Sequence, residues 1–457
     1  MNIIINIKSK IANIFLNEDN RFIFALFFPI LIEQLILTMM SVIHAVMLAN
    51  VGKEAISAIS LVDQLNQFAY AILGSVSLGA TIVISQYIGS HKSLSAKATA
   101  EQAVTLGFLV AVIVGAVFLF FADQIFVIFF KKDQIDPQVF DYAMTYMSAT
   151  AVSFPMFSLT AVAAGIIRGT GNAKTPMVIS ITMGLINAVT AWFCIFVLDL
   201  EVYGAGVAIC ISRCAGGIIA FILLIRKGYI RKIKNLFIIR IKYIFQILRI
   251  GIYSGAENMI FQLGRTLTQS FYISGGTNHV AANGIGTNMF GVLCAPGNSM
   301  SIVATTLIGR LTGAGDKKRS YIVLRNIVIL SSFMLLAIHF IYMPLSPLML
   351  GLYTKDADVI SLINRILLLN FIFMPLSWSS SFVLVAGMKG AGDARYSTVM
   401  SIVSMWLVRV LCGYIFGQVL KMGVVGVWLA MFLDWVFRSG LAVFRFLSKK
   451  WQNKSVI

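Results

Sequence analysis

The sequence predicts an all-α membrane protein of twelve transmembrane helices, arranged as two pseudo-symmetric six-helix lobes. Three observations predict this fold. Hydrophobic residues make up 59% of the 457 residues and charged residues only 12%, whereas a soluble chain carries about 25% charged residues. Apolar stretches long enough to cross a bilayer recur along the whole chain. The second half of the chain also repeats the first.

The internal repeat is clearest at a glycine-rich turn. Arg168-Gly169-Thr170-Gly171 in the first half returns as Lys389-Gly390-Ala391-Gly392 in the second half. Glu33 falls on Glu257 when the halves are aligned, and each of these glutamates lies inside a long apolar stretch. Parallel repeats with matching buried carboxylates are typical of transporters whose site lies between the two halves.

Twelve apolar segments account for the membrane-spanning part of the chain. Prolines inside four of them (Pro29, Pro155, Pro296 and Pro375) predict kinks, because proline removes a backbone donor. The predicted spans are 22–48, 57–88, 102–122, 139–167, 175–198, 203–225, 244–274, 280–309, 322–343, 359–388, 396–417 and 423–445.

The basic residues predict the orientation in the plasma (inner) membrane. The net charge is +18, and the even-numbered connections and the termini carry far more Lys and Arg than the odd-numbered connections. The positive-inside rule therefore places both termini in the cytoplasm, and membrane topology rather than nucleic acid explains the charge. The expected domains are a cytoplasmic segment 1–21, a first lobe 22–225, a basic cytoplasmic linker 226–243, a second lobe 244–445 and a cytoplasmic tail 446–457.

Three titratable residues in the spans are candidates for ion coupling. An ionised carboxylate inside the bilayer costs several kcal/mol unless it faces a cavity, pairs with a cation or is protonated. Glu33 and Glu257 could therefore carry H⁺ or bind Na⁺, with Glu257 as the Na⁺ site; the alternative is a structural acid held between helices. His44 follows Glu33 by about three helical turns on the same face. It is either a proton relay or a histidine with its hydrogen bonds satisfied near the outer face of the membrane.

Polar groups in spans 2, 7 and 8 are candidates for binding substrate. Asp63 and Gln64 lie in a segment of unusual polarity, and Gln64 aligns with Asn288 in the repeat. The alternative for these side chains is hydrogen bonding between helices near the membrane edge.

Span 7 adds further substrate candidates on or beside the face of Glu257. These are Phe261, Gln262 and Thr268, and an aromatic ring beside an acid suits an apolar cation. Simple packing is the alternative for Phe261. Arg409 in span 11 is expected to form a structural pair with Asp434 in span 12.

Enzymatic chemistry has no support in the sequence. The glycine turns lack the spacing of a phosphate-binding Walker loop, no His/Cys cluster has metal-ligand spacing, and no nucleophile–base pair is evident. The five cysteines lie in apolar segments and suit helix packing. We therefore expect no catalytic residues, no resident metal and no cofactor other than a coupling ion.

The chain resembles the multidrug and toxic compound extrusion (MATE) family over its whole length. The resemblance rests on the turn at 168–176, its partner at 389–393 and the twelve spans. It implies a V-shaped pair of lobes, alternating access, and export of cationic amphiphiles in exchange for Na⁺ or H⁺. The chain departs from the family pattern at two positions. His44 stands where many members carry Asp, and Trp378 is the closest match to an acid that some members carry in span 10. Trp378 thereby joins the candidate substrate contacts, and Glu257 lies one turn from the usual span 7 acid.

The predicted function is thus antiport of amphipathic organic cations against H⁺ or Na⁺. The expected partners are small organic cations, the coupling ion and membrane lipid, with no nucleic acid, and the expected state is a monomer. A flippase for lipid-linked substrates is the alternative, since related flippases share the architecture. Such flippases hold phosphates with several arginines, for which Arg213 and Arg265 are the candidates.

Overall fold

The computed structural model describes residues 18–49, 51–130, 135–273 and 275–457, and these ranges contain helices and turns but no β-strand. Twelve long helices follow the twelve predicted spans. In chain order they are α1 (Glu18–Ala49), α2 (Lys53–Gly89), α3 (Ser93–Phe120), α4 (Pro137–Gly169), α5 (Lys174–Val197), α6 (Glu201–Arg226), α7 (Ile241–Ile273), α8 (Thr277–Gly313), α9 (Lys317–Tyr353), α10 (Ala357–Gly390), α11 (Ala394–Val419) and α12 (Gly423–Leu447).

Most of these helices are long and apolar enough to cross a membrane. In the described part of the chain, eleven meet both requirements and α7 alone does not, because α7 carries Arg249, Glu257 and Arg265. The expected end of span 9 before Pro344 is wrong. Pro344 and Pro347 both lie inside α9, since each proline removes only one backbone donor and the remaining bonds of the turn persist.

Local signals set several helix starts. Asp136 accepts a hydrogen bond from the backbone N–H of Gln138, with Pro137 in the first turn of α4. Asp356 likewise accepts from two backbone N–H groups at the start of α10. A side-chain oxygen at this position satisfies donors that the helix itself leaves unpaired, and proline there loses nothing. The sequence therefore defines these boundaries without help from tertiary contacts.

The repeated glycine turns need glycine for conformational reasons. Gly171 and Gly392 have φ values of +90° and +103°, which side-chain-bearing residues rarely adopt. A Cβ on Gly392 would also lie 2.0 Å from the carbonyl oxygen of Lys454. The turn after α10 is therefore packed directly against the C-terminal tail.

The two lobes, α1–α6 and α7–α12, meet at one end of the molecule, which we call the basic end. This end carries the α2–α3, α4–α5, α6–α7, α8–α9 and α10–α11 connections and the C-terminal tail. Here Ile23 and Phe27 of α1 belong to a core built mainly from the second lobe, and Ile247 and Ile250 of α7 belong to a core of the first lobe. The beginnings of α1 and α7 thus pack onto the opposite lobe.

Close backbone contacts confirm that the lobes touch at the basic end. A Cβ on Gly89 would lie 1.9 Å from the carbonyl oxygen of Arg310, and one on Gly313 would lie 1.9 Å from that of Gln86. Toward the other end, a Cβ on Gly74 of α2 or Gly284 of α8 would meet nothing within 4 Å. The remaining two cores each stay within one lobe, so the lobes diverge into a V.

The basic linker between α6 and α7 is docked on the first lobe. The buried carboxylate of Glu101 in α3 accepts hydrogen bonds from the backbone N–H of Arg231 and the side chain of Asn235, both at 3.0 Å. The buried Gln102 bonds the linker through Ile238 and Arg240. The linker therefore follows the first lobe rather than forming a loose tether.

Candidate functional site

The two candidate coupling acids form matching ion pairs. Glu33 Oε1 lies 2.5 Å from Nη2 of Arg168, and Glu257 Oε2 lies 2.6 Å from Nζ of Lys389. Both acids are buried, with only 3% and 9% of their surface exposed. In each lobe, the cation is the basic residue that precedes the repeated glycine turn. The repeat therefore carries an acid–base pair and not only an acid.

A hydroxyl group completes each pair. Ser180 of α5 donates to Glu33 at 2.9 Å, and Thr398 of α11 donates to Glu257 at 3.2 Å. Each pair ties the first helix of its lobe to the fourth and fifth helices. Because the charge of each acid is compensated by a cation, this arrangement fits the structural alternative as well as a coupling role.

Each ion pair reaches from inside the first helix of its lobe toward the basic end. Glu33 lies near the middle of α1, which is described from Glu18 rather than from the expected residue 22. Its partner Arg168 is next to the last residue of α4. The basic residue before each glycine turn was the sequence signal for the partner, but the sequence alone did not connect it to the acids.

The residues around Glu257 resemble the ligands of an alkali cation. Carboxylate, hydroxyl and carbonyl oxygens suit such an ion, and Thr398 Oγ1 lies 3.2 Å from Glu257 Oε2 and 3.1 Å from the carbonyl oxygen of Tyr253. The ammonium of Lys389 holds this position. A Na⁺ ion would therefore compete with Lys389 for the same carboxylate. The described ranges contain no group of three or more His, Cys, Asp or Glu side chains that could hold a metal.

Asp63 is a different kind of acid. Its side chain is exposed although it lies in a membrane-spanning helix, beside Asn66 and within electrostatic range of Arg213. Arg213 donates instead to Ser153 Oγ at 2.7 Å and to Tyr70 Oη at 2.6 Å. Within the four described ranges Asp63 makes no ion pair, so its charge is available to a ligand.

Gln64 and Asn288 accompany Asp63 on helices that border the space between the lobes. Gln64 is half-buried and Asn288 exposed, and neither has a hydrogen-bond partner in the part of the chain that the structure describes. α2 and α8 touch at the basic end and diverge from there, so their other halves face the opening of the V. These polar groups thus lie on facing helices of the two lobes.

Phe261 lies among arginines rather than in an open pocket. The guanidinium carbons of Arg409 and Arg438 are each 5.3 Å from its ring centroid. The expected Arg409–Asp434 pair is wrong. Asp434 instead approaches Arg438, one turn along α12, at 3.5 Å, and accepts a hydrogen bond from the Ser404 hydroxyl. Residues one turn apart on a helix reach each other without any adjustment of helix packing.

Trp378 lies in a packed aromatic cluster of the second lobe. Its ring stacks on Phe382 at 4.1 Å between centroids and meets Trp435 edge-on at 5.0 Å. A Cβ on Gly297 would lie 2.3 Å from its indole nitrogen. This packing leaves little room for a substrate at Trp378.

The remaining candidates are distributed along α1 and α7. Thr268 is buried and donates to the carbonyl oxygen of Arg265 in its own helix at 2.9 Å, so its hydroxyl is already used. Gln262 is half-buried. His44 lies in α1, but its side chain is outside the described part of the molecule.

Comparison with known proteins matches both lobes. The MatE family model matches residues 29–193 and 254–415, one segment in each half. The probable multidrug resistance protein NorM of Thermotoga maritima is 25% identical over 437 residues, which is 94% of this chain and 92% of that protein. The uncharacterized transporter YisQ of Bacillus subtilis is 24% identical over 442 residues, or 95% of each chain.

A solved structure has the same fold. It is described as the outward-facing conformation of a multidrug resistance MATE family transporter of the MOP superfamily. It aligns with a TM-score of 0.85 at 19% identity, over 96% of this chain and 98% of that chain. The V-shaped arrangement of two six-helix lobes is therefore common to both proteins.

Proposed function

We propose that this chain, which belongs to the MatE family of membrane transporters, is a secondary active exporter of amphipathic organic cations driven by inward movement of H⁺ or Na⁺. The observation that carries the proposal is the pair of buried carboxylates, Glu33 and Glu257, held by cations at matching places in two lobes that meet at only one end. The name of the Thermotoga maritima relative, a probable multidrug resistance protein, supports drug export.

The orientation of the opening in the membrane is inferred from the basic end. The positive-inside rule makes this end cytoplasmic, so the closed contacts face the cytoplasm and the opening of the V faces outward. Export then requires the contacts at the basic end to break while the opposite end closes. A single chain supplies both lobes, which fits a monomer in the plasma membrane in contact with lipid.

Ion coupling is proposed to act on the acid–base pairs. Protonation of Glu257 would leave the Lys389 ammonium buried without a counter-charge, and breaking a buried pair in this way costs about 3–5 kcal/mol. Na⁺ would have the same effect by displacing the ammonium. Either ion therefore favours an arrangement in which α7 moves and Lys389 reaches water, which biases one orientation of the lobes. Glu33 and Arg168 repeat this chemistry in the first lobe.

Asp63 is proposed to receive the organic cation. It is exposed, lies on a helix bordering the opening between the lobes, and is not directly neutralised by a described cation. Gln64 on the same helix and Asn288 across the opening supply hydrogen bonds. In this scheme the coupling ion and the substrate act on different carboxylates, and the lobe movement connects them.

Proteoliposome transport tests the proposal. Addition of ethidium, an organic cation, is expected to drive H⁺ or Na⁺ flux with wild-type protein but not with Glu257→Gln, while Asp63→Asn is expected to weaken ethidium binding. Asp123→Asn is the matched control, since Asp123 is an exposed acid in the short helix Ala122–Phe129 outside the spans. Undiminished coupled flux in Glu257→Gln would refute the coupling assignment, and no ethidium-dependent flux in wild type would refute antiport.

The alternative function is a flippase for lipid-linked substrates. One observation favours it: the second lobe holds Arg409 and Arg438, both buried, beside a single carboxylate, Asp434. With Arg213 and Arg265, this raises the number of arginines in the spans that could hold a phosphate. Transbilayer movement of a fluorescent pyrophosphate-linked lipid in the same liposomes, abolished by Arg265→Ala, would support the flippase over the antiporter.

A further inference from the structure

A charged cavity lies at the basic end of the second lobe, far from the opening of the V. Its volume is about 440 Å³, and it is bordered by α7, the start of α11, the end of α12 and the C-terminal tail. Four basic side chains line it together with one acid: Arg249, Arg395, Arg445, Lys454 and Asp393. Four cations and one carboxylate leave a formal charge of +3.

Among the described residues, only one of these cations has an acidic partner. Arg445 donates two hydrogen bonds to Asp393, from Nε to Oδ2 at 2.8 Å and from Nη2 to Oδ1 at 3.2 Å. Arg249, Arg395 and Lys454 are exposed, and none has an ion pair or side-chain hydrogen bond in the described ranges. Three free cations therefore converge on one cavity.

The backbone adds to the attraction for an anion. α11 begins at Ala394, and the first N–H groups of a helix have no partner inside it. Asp393 precedes them but does not cap them, because its carboxylate is taken by Arg445. A helix start with uncapped N–H groups favours a phosphate, and here it faces the same cavity as the three free cations.

Exposed apolar side chains lie around the cavity. Val399 lies one turn beyond Arg395 and is 53% exposed, Ile252 follows Arg249 by about one turn and is 62% exposed, and Phe444 adjoins Arg445 and is 72% exposed. Large apolar side chains with this exposure in membrane-spanning helices suit acyl chains. The cavity thus lies between a cationic surface and an exposed apolar surface.

We propose that this cavity binds the phosphate head group of an anionic phospholipid, with the acyl chains along α7, α11 and α12. Basic pockets between membrane helices at the cytoplasmic side recognise such head groups. The internal repeat does not reproduce this site in the first lobe. In the alignment that matches Glu33 with Glu257, Arg249 falls on Ala25. The site is therefore specific to the second lobe and independent of the proposed substrate.

Native mass spectrometry of the full-length protein in detergent tests the proposal by titration with phosphatidylglycerol and, separately, phosphatidylcholine. Each arginine near the surface contributes about fivefold to binding of an anionic lipid. Arg249→Ala/Arg395→Ala is thus expected to weaken the first phosphatidylglycerol site about 25-fold. Lys174→Ala is the control, because Lys174 is the exposed basic residue that matches Arg395 in the first lobe, and it should leave that site unchanged.

Three outcomes would overturn the proposal. Equal binding of the two lipids would rule out recognition of an anionic head group. Equal losses of binding in the double variant and in Lys174→Ala would rule out this cavity as the binding site. Competition by soluble glycerol 3-phosphate as effective as that by the lipid would assign the cavity to free phosphate. Arg395→Gln keeps a long polar side chain and serves as a second variant, with an expected fivefold loss, if the double variant has an altered thermal unfolding temperature.

Discussion

Gln86 is the residue whose replacement should most directly alter the balance between the two orientations of the lobes. It lies fully buried near the end of α2 and reaches across to the second lobe and its tail. Its side-chain nitrogen donates to the carbonyl oxygen of Gly390 at 3.0 Å. Its oxygen accepts from the hydroxyl of Ser455 at 3.2 Å and from the backbone N–H of Val456 at 3.0 Å.

The expected size of the effect follows from these three bonds. A hydrogen bond contributes about 1 kcal/mol, and a buried group left without its partner costs at least as much. Gln86→Ala therefore removes about 2–3 kcal/mol from the state in which the basic end is closed. The bonds do not exist once the lobes separate there, so the ratio of closed to open states should fall about 30- to 150-fold.

Electron–electron distance measurements between spin labels provide the assay. In a cysteine-free background, labels at Lys92 and Lys318 report on the separation of the α2–α3 and α8–α9 connections, and both side chains are exposed. Gln86→Ala is expected to shift the distance distribution toward longer values. Gln102→Ala is the matched control, since Gln102 is also a fully buried glutamine but, within the described residues, forms its side-chain hydrogen bonds only with the linker. A distribution for Gln86→Ala that coincides with that of wild type would refute the reasoning.

Three further predictions concern the same interface and the acid–base pairs. Gly313→Ala should open the basic end in the same label pair, because its Cβ would lie 1.9 Å from the carbonyl oxygen of Gln86; an unchanged distribution would contradict this close approach. Deletion of 454–457 removes two of the three bonds of Gln86 and should produce about a 10- to 30-fold shift, smaller than that of Gln86→Ala; a larger shift would show that the tail acts in another way. Glu33→Gln leaves the Arg168 guanidinium without its counter-charge and should destabilise the protein by about 3–5 kcal/mol in thermal unfolding. A second change, Arg168→Gln, should recover part of this loss, and simple additivity of the two changes would argue against the pair.

Composition, hydropathy and the internal repeat determined the class of fold without any structural information. The span positions came from local apolar runs, and the helix starts at Pro137 and Ala357 came from caps adjacent in sequence. Glu33 and Glu257 also emerged from the sequence, because a carboxylate inside an apolar run is conspicuous and the repeat aligned the two. These features depend on neighbours in the chain, so a linear reading suffices for them.

The partners of these residues were decided only by the tertiary structure. Arg168 is 135 residues from Glu33, and Lys389 is 132 residues from Glu257, so their pairing depends on how helices pack and not on local pattern. The same holds for the beginnings of α1 and α7, which look like ordinary spans yet pack onto the opposite lobe. The sequence-based pair of Arg409 with Asp434 failed because a closer guanidinium, Arg438, lies one turn away on the same helix. Charge and polarity show that a buried group needs a partner, but only the packing of the helices selects which partner lies within reach.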